Sequence, residues 1–232
     1  MIKNTLPPVV AIDGPSGSGK GTVSRRVADA LGWHLLDSGA LYRVLAWAGD
    51  AAGLSSDQPQ KLQSLAGSLQ VEFSRTAAGD ERILLDGRDI TQPLRTEECG
   101  NRASELAAIP QVREGLKILQ RSFRRAPGLV ADGRDMGTVI FPDAGLKIFL
   151  TASAGERVKR RYNQLKQKGL DATLPGLFRD IAARDERDQS RAVSPLKPAP
   201  EAVVLDTTGT GIEQVVEKVL VLTRRRFGST QI

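Results

Sequence analysis

The sequence Val9-Val-Ala-Ile-Asp13, followed directly by Gly14-Pro-Ser-Gly-Ser-Gly-Lys-Gly-Thr22, decides the fold. The first five residues form a short apolar run typical of a buried strand, and Val23, Val27 and Leu31 then recur at helical spacing. A glycine-rich loop ending in Gly-Lys between a strand and a helix lets backbone N–H groups surround a phosphate at the helix N-terminus. The stretch therefore predicts a site for a nucleoside triphosphate. Its predicted ATP-binding residues are Gly14, Pro15, Ser16, Gly17, Ser18, Gly19, Lys20, Gly21 and Thr22.

Two residues give this loop its particular form. Lys20 is expected to reach the β- and γ-phosphates as a mobile positive charge. Most loops of this kind place a Mg²⁺-binding hydroxyl next, but here Gly21 follows and the hydroxyl comes one residue later, at Thr22. This order favours Mg²⁺ that is held by water and phosphate oxygens rather than by a direct protein ligand. Kinases that phosphorylate nucleoside monophosphates use the same Gly-Lys-Gly-Thr sequence.

Five short apolar runs, four of which end in aspartate, alternate with helical patterns along the chain. This alternation predicts an α/β fold with a five-stranded parallel sheet and helices on both faces. The predicted strands are Val9 to Asp13, His34 to Asp37, Leu129 to Asp132, Leu146 to Leu150 and Ala202 to Asp206.

One region breaks the alternation. Leu69 to Arg75 and Arg82 to Leu85 are predicted strands on either side of a turn at Thr76 to Asp80. We expect one domain over residues 1–232, with a small antiparallel insertion at about 63–98.

Composition excludes several classes of protein. The 232 residues contain one cysteine and one histidine, so a disulfide scaffold, a zinc finger and Ser-His-Asp hydrolysis are not expected. The 33 basic and 27 acidic residues give a net charge of +6, which favours an anionic partner. No apolar run reaches the roughly 18 residues of a membrane span, and the N-terminus lacks a signal-peptide core. A cytoplasmic protein without a membrane partner is expected.

Polar residues also follow two later strands. Ser38 and Arg43 come after the second predicted strand, and Asp132, Arg134 and Asp135 come at the end of the third. Ligands of doubly wound sheets bind beyond the carboxyl ends of the strands, so these residues are candidates for a second anion site. Taken alone, Ser38 and Arg43 favour a helix cap and a solvated arginine over an anion site.

The chain strongly resembles the bacterial cytidylate kinases in four segments. These are the loop at 14–22, Leu-Leu-Asp-Ser-Gly-Ala-Leu-Tyr-Arg at 35–43, Ala-Asp-Gly-Arg-Asp-Met-Gly-Thr-Val at 131–139, and Arg-Asp-Glu-Arg-Asp-Gln-Ser-Arg at 184–191. The resemblance covers about residues 9–195 and implies the fold of nucleoside monophosphate kinases. It also implies phosphorylation of CMP and dCMP by ATP with Mg²⁺.

The resemblance assigns roles to individual positions. Those expected to bind the acceptor phosphate are Ser38, Tyr42, Arg43, Arg134 and Arg191. Those expected to contact the base are Ser104, Arg113 and Asp135, and those expected to contact the ribose are Arg184 and Asp188. A helical lid is expected at about 153–168, with arginines that contribute to ATP binding at Arg157, Arg160 and Arg161. The catalytic group implied is Lys20, Asp132, Arg134 and Arg191, with Asp132 and Thr22 near the Mg²⁺.

Alternatives to these interpretations follow from the residues themselves. Arg184, Asp188 and Arg191 are predicted to share one helix face, and their spacing by itself favours an exposed ladder of ion pairs. Other candidate functions are a kinase for UMP or shikimate, a regulatory GTPase, and a basic nucleic-acid-binding ATPase. The 4% aromatic content argues against stacking on nucleic acid. We therefore expect a monomer that binds ATP, CMP and dCMP and no nucleic acid.

Overall fold

The computed structural model describes residues 6–76, 81–167 and 171–228. The chain divides into two compact units, Met1–Leu36 with Phe123–Ile232, and Asp37–Ser122. The strands are β1 (Val9–Asp13), β2 (His34–Asp37), β3 (Val71–Arg75), β4 (Glu81–Leu85), β5 (Arg88–Asp89), β6 (Leu129–Gly133), β7 (Leu146–Thr151) and β8 (Val203–Asp206). The helices are α1 (Lys20–Leu31), α2 (Ser38–Ala51), α3 (Pro59–Ser68), α4 (Glu97–Leu106), α5 (Pro110–Ser122), α6 (Ala154–Gln167), α7 (Leu174–Ser190) and α8 (Ile212–Phe227).

A five-stranded sheet with the order β2-β6-β1-β7-β8 forms the centre of the first unit. Strand β1 pairs in parallel with both β6 and β7, so that Val10 lies between Val130 and Leu146. All five residues of β1 are buried, because a central parallel strand is covered by neighbours at both edges and both faces. Each of the five predicted strands is present, and its ends differ from the prediction by at most one residue. The predicted α/β fold class is confirmed.

Helices α1 and α8 cover the sheet with apolar stripes. Val23 and Val27 on α1 and Val215 and Val219 on α8 pack with the strand residues in one hydrophobic core. Helix α1 begins at Lys20, after the loop at 14–19 that follows β1. Because β1, β6, β7 and β8 run parallel, their last residues lie at one edge of the sheet.

The second unit contains α2 to α5 and a three-stranded antiparallel sheet with the order β3-β4-β5. Phe73 pairs with Ile83, as expected for the predicted hairpin, whereas β5 was not predicted. The antiparallel strands occupy only Val71 to Asp89, since residues 63–68 of the proposed insertion belong to α3. Residues 77–80 of the predicted turn lie outside the described residues.

The predicted lid range at 153–168 corresponds closely to α6, which ends at Gln167, the last described residue before the gap. Ser153 Oγ accepts a hydrogen bond from the backbone N–H of Glu156 at 3.3 Å and so caps the start of this helix. In the described parts of the chain, no helix combines the length and the apolar composition that a membrane span needs.

Candidate active site

The phosphate-binding loop lies between β1 and α1. Gly14 has a φ of +155°, and a Cβ on it would lie 2.1 Å from the carbonyl oxygen of Leu150, so no larger residue fits against β7. Lys20 is the first residue of α1, and its Nζ donates to the carbonyl oxygen of Pro15 at 3.1 Å. The backbone of the loop thus contacts the side chain of its own lysine, within the strand–loop–helix arrangement that the sequence predicts.

Lys20 is buried, and this changes its protonation. Burial, followed by the positive charge of Arg134, lowers the pKa of Lys20 to about 7, while the carboxylate of Asp132 acts in the opposite direction. A phosphate placed in the loop would restore the charge of the ammonium group. The site is therefore electrostatically suited to an anion.

Asp132 explains why glycine follows Lys20. This carboxylate is 6% exposed, and its Oδ2 would lie 3.3 Å from a Cβ on Gly21. A side chain at position 21 would have to displace the carboxylate or the start of α1. Position 21, where a hydroxyl usually follows the lysine, is therefore a glycine that leaves room for the carboxylate. The exposed Thr22 carries the hydroxyl one residue later.

Arg134, Asp188 and Arg191 form one buried cluster. Arg134 Nε donates to Asp188 Oδ2 at 2.8 Å, and Arg191 Nη2 donates to Asp188 Oδ1. Asp188 is 1% exposed, so the alternative of an exposed ladder of ion pairs is wrong. The spacing placed Arg184 and Asp188 on one helix correctly, but α7 ends at Ser190 and Arg191 directly follows it. The spacing also could not show that this face of α7 is covered.

The charges in this cluster support one another. Burial raises the pKa of the Asp188 carboxyl group, but the charges of Arg134 and Arg191 outweigh burial and hold it below its usual value. Burial likewise opposes the charge of Arg134, yet Asp188 raises the pKa of its guanidinium overall. Arg184 is half-buried nearby, and its charge also lowers the pKa values of Lys20 and Asp188. Arg134 and Asp188 therefore stay ionised near neutral pH, whereas Lys20, with a pKa of about 7, is only partly protonated there.

Two of the three arginines that were predicted to lie in a lid contact the phosphate loop. Arg157 Nη1 donates to the carbonyl oxygen of Ser16 at 3.0 Å, and its guanidinium forms a bidentate pair with Asp185 at 2.9 and 2.5 Å. Arg160 Nη1 lies 3.3 Å from the carbonyl oxygen of Ser18. The third, Arg161, donates to Gln164 on its own helix at 3.3 Å.

Sequence reasoning missed two residues of this region. Thr207 follows β8, and its Oγ1 lies 3.1 Å from the carbonyl oxygen of Ser18 and 3.0 Å from Nη1 of Arg160. Asp13 ends β1, and its carboxylate accepts hydrogen bonds from the segment after Asp135. The only sequence signal for Asp13 was that four predicted strands end in aspartate, which does not distinguish it from the others.

In the second unit, Ser38 is the first residue of α2. The preceding Asp37 caps the helix by accepting from the backbone N–H of Ala40 at 2.9 Å, and Ser38 is buried. Arg43 lies one turn further along α2, and its Nη1 donates to the carbonyl oxygens of Leu94 and Thr96 at 2.8 and 3.1 Å. It is therefore held by backbone groups and is not the freely solvated arginine of the alternative interpretation.

Tyr42, Arg113 and Ser104 complete the predicted residues of this unit. The guanidinium of Arg113 lies 5.8 Å from the centre of the Tyr42 ring, and Arg113 is 7% exposed. Arg113 Nη1 also donates to the carbonyl oxygen of Ala107 at 3.2 Å. Ser104 on α4 has a buried hydroxyl with no hydrogen-bond partner among the residues that the structure describes. A buried orphan hydroxyl of this kind is typical of a ligand contact.

The described residues contain no group of three or more His, Cys, Asp or Glu side chains arranged to hold a metal ion. The oxygen ligands near the loop are the Asp132 carboxylate and the Thr22 hydroxyl. This set fits a divalent cation that arrives with the phosphates and keeps most of its water.

Comparison with known proteins identifies relatives of this chain. The chain is 57% identical over 218 residues to the cytidylate kinase of Marinomonas sp. (strain MWYL1), covering 94% of this chain and 96% of that protein. It is 58% identical over 214 residues to the cytidylate kinase of Pseudomonas syringae pv. tomato, covering 92% and 93%. Among solved structures, a shikimate kinase from Bacteroides thetaiotaomicron is 13% identical with a TM-score of 0.44, covering 94% of this chain and 98% of that one. The model of the cytidylate kinase family matches residues 10–225. The chain belongs to the cytidylate kinase family.

Proposed function

We propose that this protein transfers the γ-phosphoryl group of ATP reversibly to CMP and dCMP, giving ADP and CDP or dCDP. The observation that carries the proposal is the match to the cytidylate kinase family over residues 10–225, which includes every candidate site residue. The buried Lys20 next to Asp132 and Arg134 supports it, because phosphoryl transfer depends on placing fixed charges around the reacting group.

The donor binds at Gly14 to Thr22 in this proposal. Backbone N–H groups of the loop and the N-terminus of α1 hold the β- and γ-phosphates, and Lys20 neutralises the charge that develops on them. Arg157 contributes through the carbonyl group of Ser16, which it holds in place. Arg160 and Arg161 contribute by closing over the transferring group and excluding water.

The acceptor phosphate is bound by positive charge and by a helix N-terminus. Ser38 offers a hydroxyl and a backbone N–H at the start of α2, a position that favours anions. The phosphate of CMP is already a competent nucleophile, so the reaction needs positioning rather than a general base. The residues that we propose bind this phosphate are Ser38, Tyr42, Arg43, Arg134 and Arg191.

Arg113, Ser104 and Asp135 recognise the base in this proposal. Cytosine presents acceptors at N3 and O2 and a donor at N4, which suit an arginine together with a hydroxyl or a carboxylate. Uracil reverses the pattern at N3 and at position 4, so buried groups would be left unpaired. The orphan hydroxyl of Ser104 supports this role. Arg184 and Asp188 would contact the ribose.

The proposal also names the conditions of the reaction. Mg²⁺ bound together with ATP would neutralise part of the charge that develops on the phosphates. Thr22 and Asp132 are the residues that would orient its water ligands. We further propose that the enzyme acts as a monomer in the cytoplasm.

A coupled assay with ATP and each of CMP, dCMP, UMP and AMP tests the proposal. We expect CMP and dCMP to exceed UMP by roughly 100-fold or more in kcat/KM, because mismatched buried polar groups cost several kcal/mol. Arg113→Met should lower kcat/KM for CMP by about 30- to 1,000-fold, corresponding to about 2–4 kcal/mol, and leave the KM for ATP within about twofold.

Arg121→Met is the matched control, since it makes the same substitution at an exposed position of α5. It should leave all parameters near those of the wild-type protein. Equal activity with UMP, or equal losses for CMP and ATP in Arg113→Met, would contradict the assignment of the base site.

A further inference from the structure

Asp13 makes a contact that its place in the sequence does not suggest. It ends β1, directly before Gly14, and is 5% exposed. Its Oδ1 accepts a hydrogen bond from the backbone N–H of Met136 at 2.8 Å, and its Oδ2 accepts one from the backbone N–H of Gly137 at 2.8 Å. The reaction proposed above gives this carboxylate no part.

This geometry requires a carboxylate. Each oxygen of Asp13 faces a backbone N–H, so both side-chain atoms must be acceptors. An asparagine has the same shape but would direct its own N–H₂ group at one of these donors. One buried backbone N–H would then lose its partner, which is costly in a water-free environment.

The two hydrogen bonds enclose a short segment of the acceptor site. In the sheet, the backbone of Asp13 is in register with Gly133, and its side chain holds Met136 and Gly137. Arg134 and Asp135 are the only residues between these two attachments. Asp13 therefore fixes both ends of the dipeptide that carries them.

The turn that follows strengthens this attachment. Met136 to Ile140 forms a π-helical turn, in which the carbonyl oxygen of Asp135 accepts from the N–H groups of Val139 and Ile140 at 2.9 and 3.2 Å. Met136 is fully buried. The position of the Asp135 backbone thus depends on the turn, and the start of the turn depends on Asp13.

We propose that Asp13 is a positioning residue that sets Arg134 and Asp135 for the acceptor nucleotide in register with the phosphate loop that begins at Gly14. The inference rests on the proposed function, in which Arg134 and Asp135 bind CMP. It adds that one carboxylate links the donor-binding and acceptor-binding segments of the first unit.

Asp13→Asn is the direct test, with Asp206→Asn as its matched control. Asp206 also ends a parallel strand, but a single oxygen, Oδ1, accepts from both the N–H and the hydroxyl of Thr208, so an asparagine can keep both bonds. KM values for CMP and ATP, kcat, and the ratio of CMP to UMP activity are measured for both variants below their melting temperatures.

For Asp13→Asn we expect the KM for CMP to rise at least about tenfold and the preference for CMP over UMP to fall, with the KM for ATP within about twofold. Asp206→Asn should behave as the wild-type protein. A melting temperature that falls while the KM values and the base preference stay unchanged would overturn the positioning role and leave the proposed function intact. If the wild-type protein does not phosphorylate CMP, both are wrong.

A second measurement does not depend on the stability of the variant. Burial is the main cause that raises the pKa of Asp13 to about 6, and the charge of Asp135 acts in the same direction. The two backbone hydrogen bonds and the charge of Arg134 act in the opposite direction. The aliphatic stem of Lys147 packs against Gly137. In an NMR titration of the wild-type protein, the amide protons of Met136 and Gly137 should shift together with one apparent pKa. Separate transitions, or none, would overturn the inference.

Discussion

At the scale of single residues, Asp188 both positions two arginines and affects the stability of the fold. Its carboxylate lies between Arg134 and Arg191, both of which we propose bind the acceptor phosphate. It therefore holds two arginines whose charges would otherwise repel each other in a site without substrate. Because it is almost fully buried, removing its charge costs more stability than breaking a surface ion pair.

Asp188→Asn is predicted to lower both stability and activity. Loss of the buried charge leaves two arginines poorly compensated, at a cost of about 3 kcal/mol, or roughly 6–12 °C in melting temperature for a chain of this size. The kcat/KM for CMP should fall more than the affinity for ATP. Thermal unfolding and steady-state kinetics measure the two effects.

Asp180→Asn, at an exposed position of the same helix, is the control and should change neither quantity. An Asp188→Asn protein with normal activity and a lower melting temperature would confine Asp188 to a structural role.

At the scale of elements, the phosphate loop is held by its neighbours as well as by its own glycines. Helix α6 reaches the loop through Arg157 and Arg160, and the residue after β8 reaches it through Thr207. Thr207 also donates its backbone N–H to the carbonyl oxygen of Thr151, at the end of β7, at 2.8 Å. The conformation of the loop therefore depends on three elements that are distant in sequence.

Thr207→Val is predicted to impair ATP binding selectively. The substitution keeps the side-chain shape and removes a buried hydroxyl that contacts Ser18 and Arg160, a loss of about 1–2 kcal/mol. The KM for ATP should rise by roughly 5- to 30-fold, with the KM for CMP within about twofold. Thr207→Ser, which keeps the hydroxyl, should restore the wild-type value. An unchanged KM for ATP in Thr207→Val would show that the hydroxyl does not support the loop.

At the scale of the whole molecule, the burial of Lys20 lowers the stability of the protein without ligand. The pKa of Lys20 is lowered from 10.5 to about 7, so the unfolded chain binds more protons than the folded protein between these values. Stability of the protein without ligand should therefore rise with pH over this interval. Below about pH 7, the lysine is charged in both states and the full cost of its burial is present.

Lys20→Met is predicted to stabilise the protein without nucleotide near pH 7 and to lose that advantage as the pH approaches 10.5. Denaturant unfolding of both proteins across this pH range measures the difference. Saturating ATP should reverse the order at pH 7, because only the lysine gains an ion pair with phosphate. A difference in stability that does not vary with pH would mean that the lysine is solvated in the folded protein.

The sequence alone determined the five parallel strands, the phosphate loop and the class of reaction. Strand periodicity and the glycine pattern are local properties of the backbone, so β1, the phosphate loop and α1 could be located before the structure was known. The four family segments likewise identified the class of reaction, because they carry the charged groups in a fixed order.

Only the tertiary structure decided which of these groups depend on one another. Asp13 bonds to residues 123 and 124 positions away, and Thr207 to one 189 positions away, because the sheet places β1 beside β6 and β7 beside β8. The burial of Asp188 depends in the same way on the packing of α7. Such contacts follow from strand order and helix packing, which no local pattern of residues specifies, and so the supports of the site could not be found from the sequence.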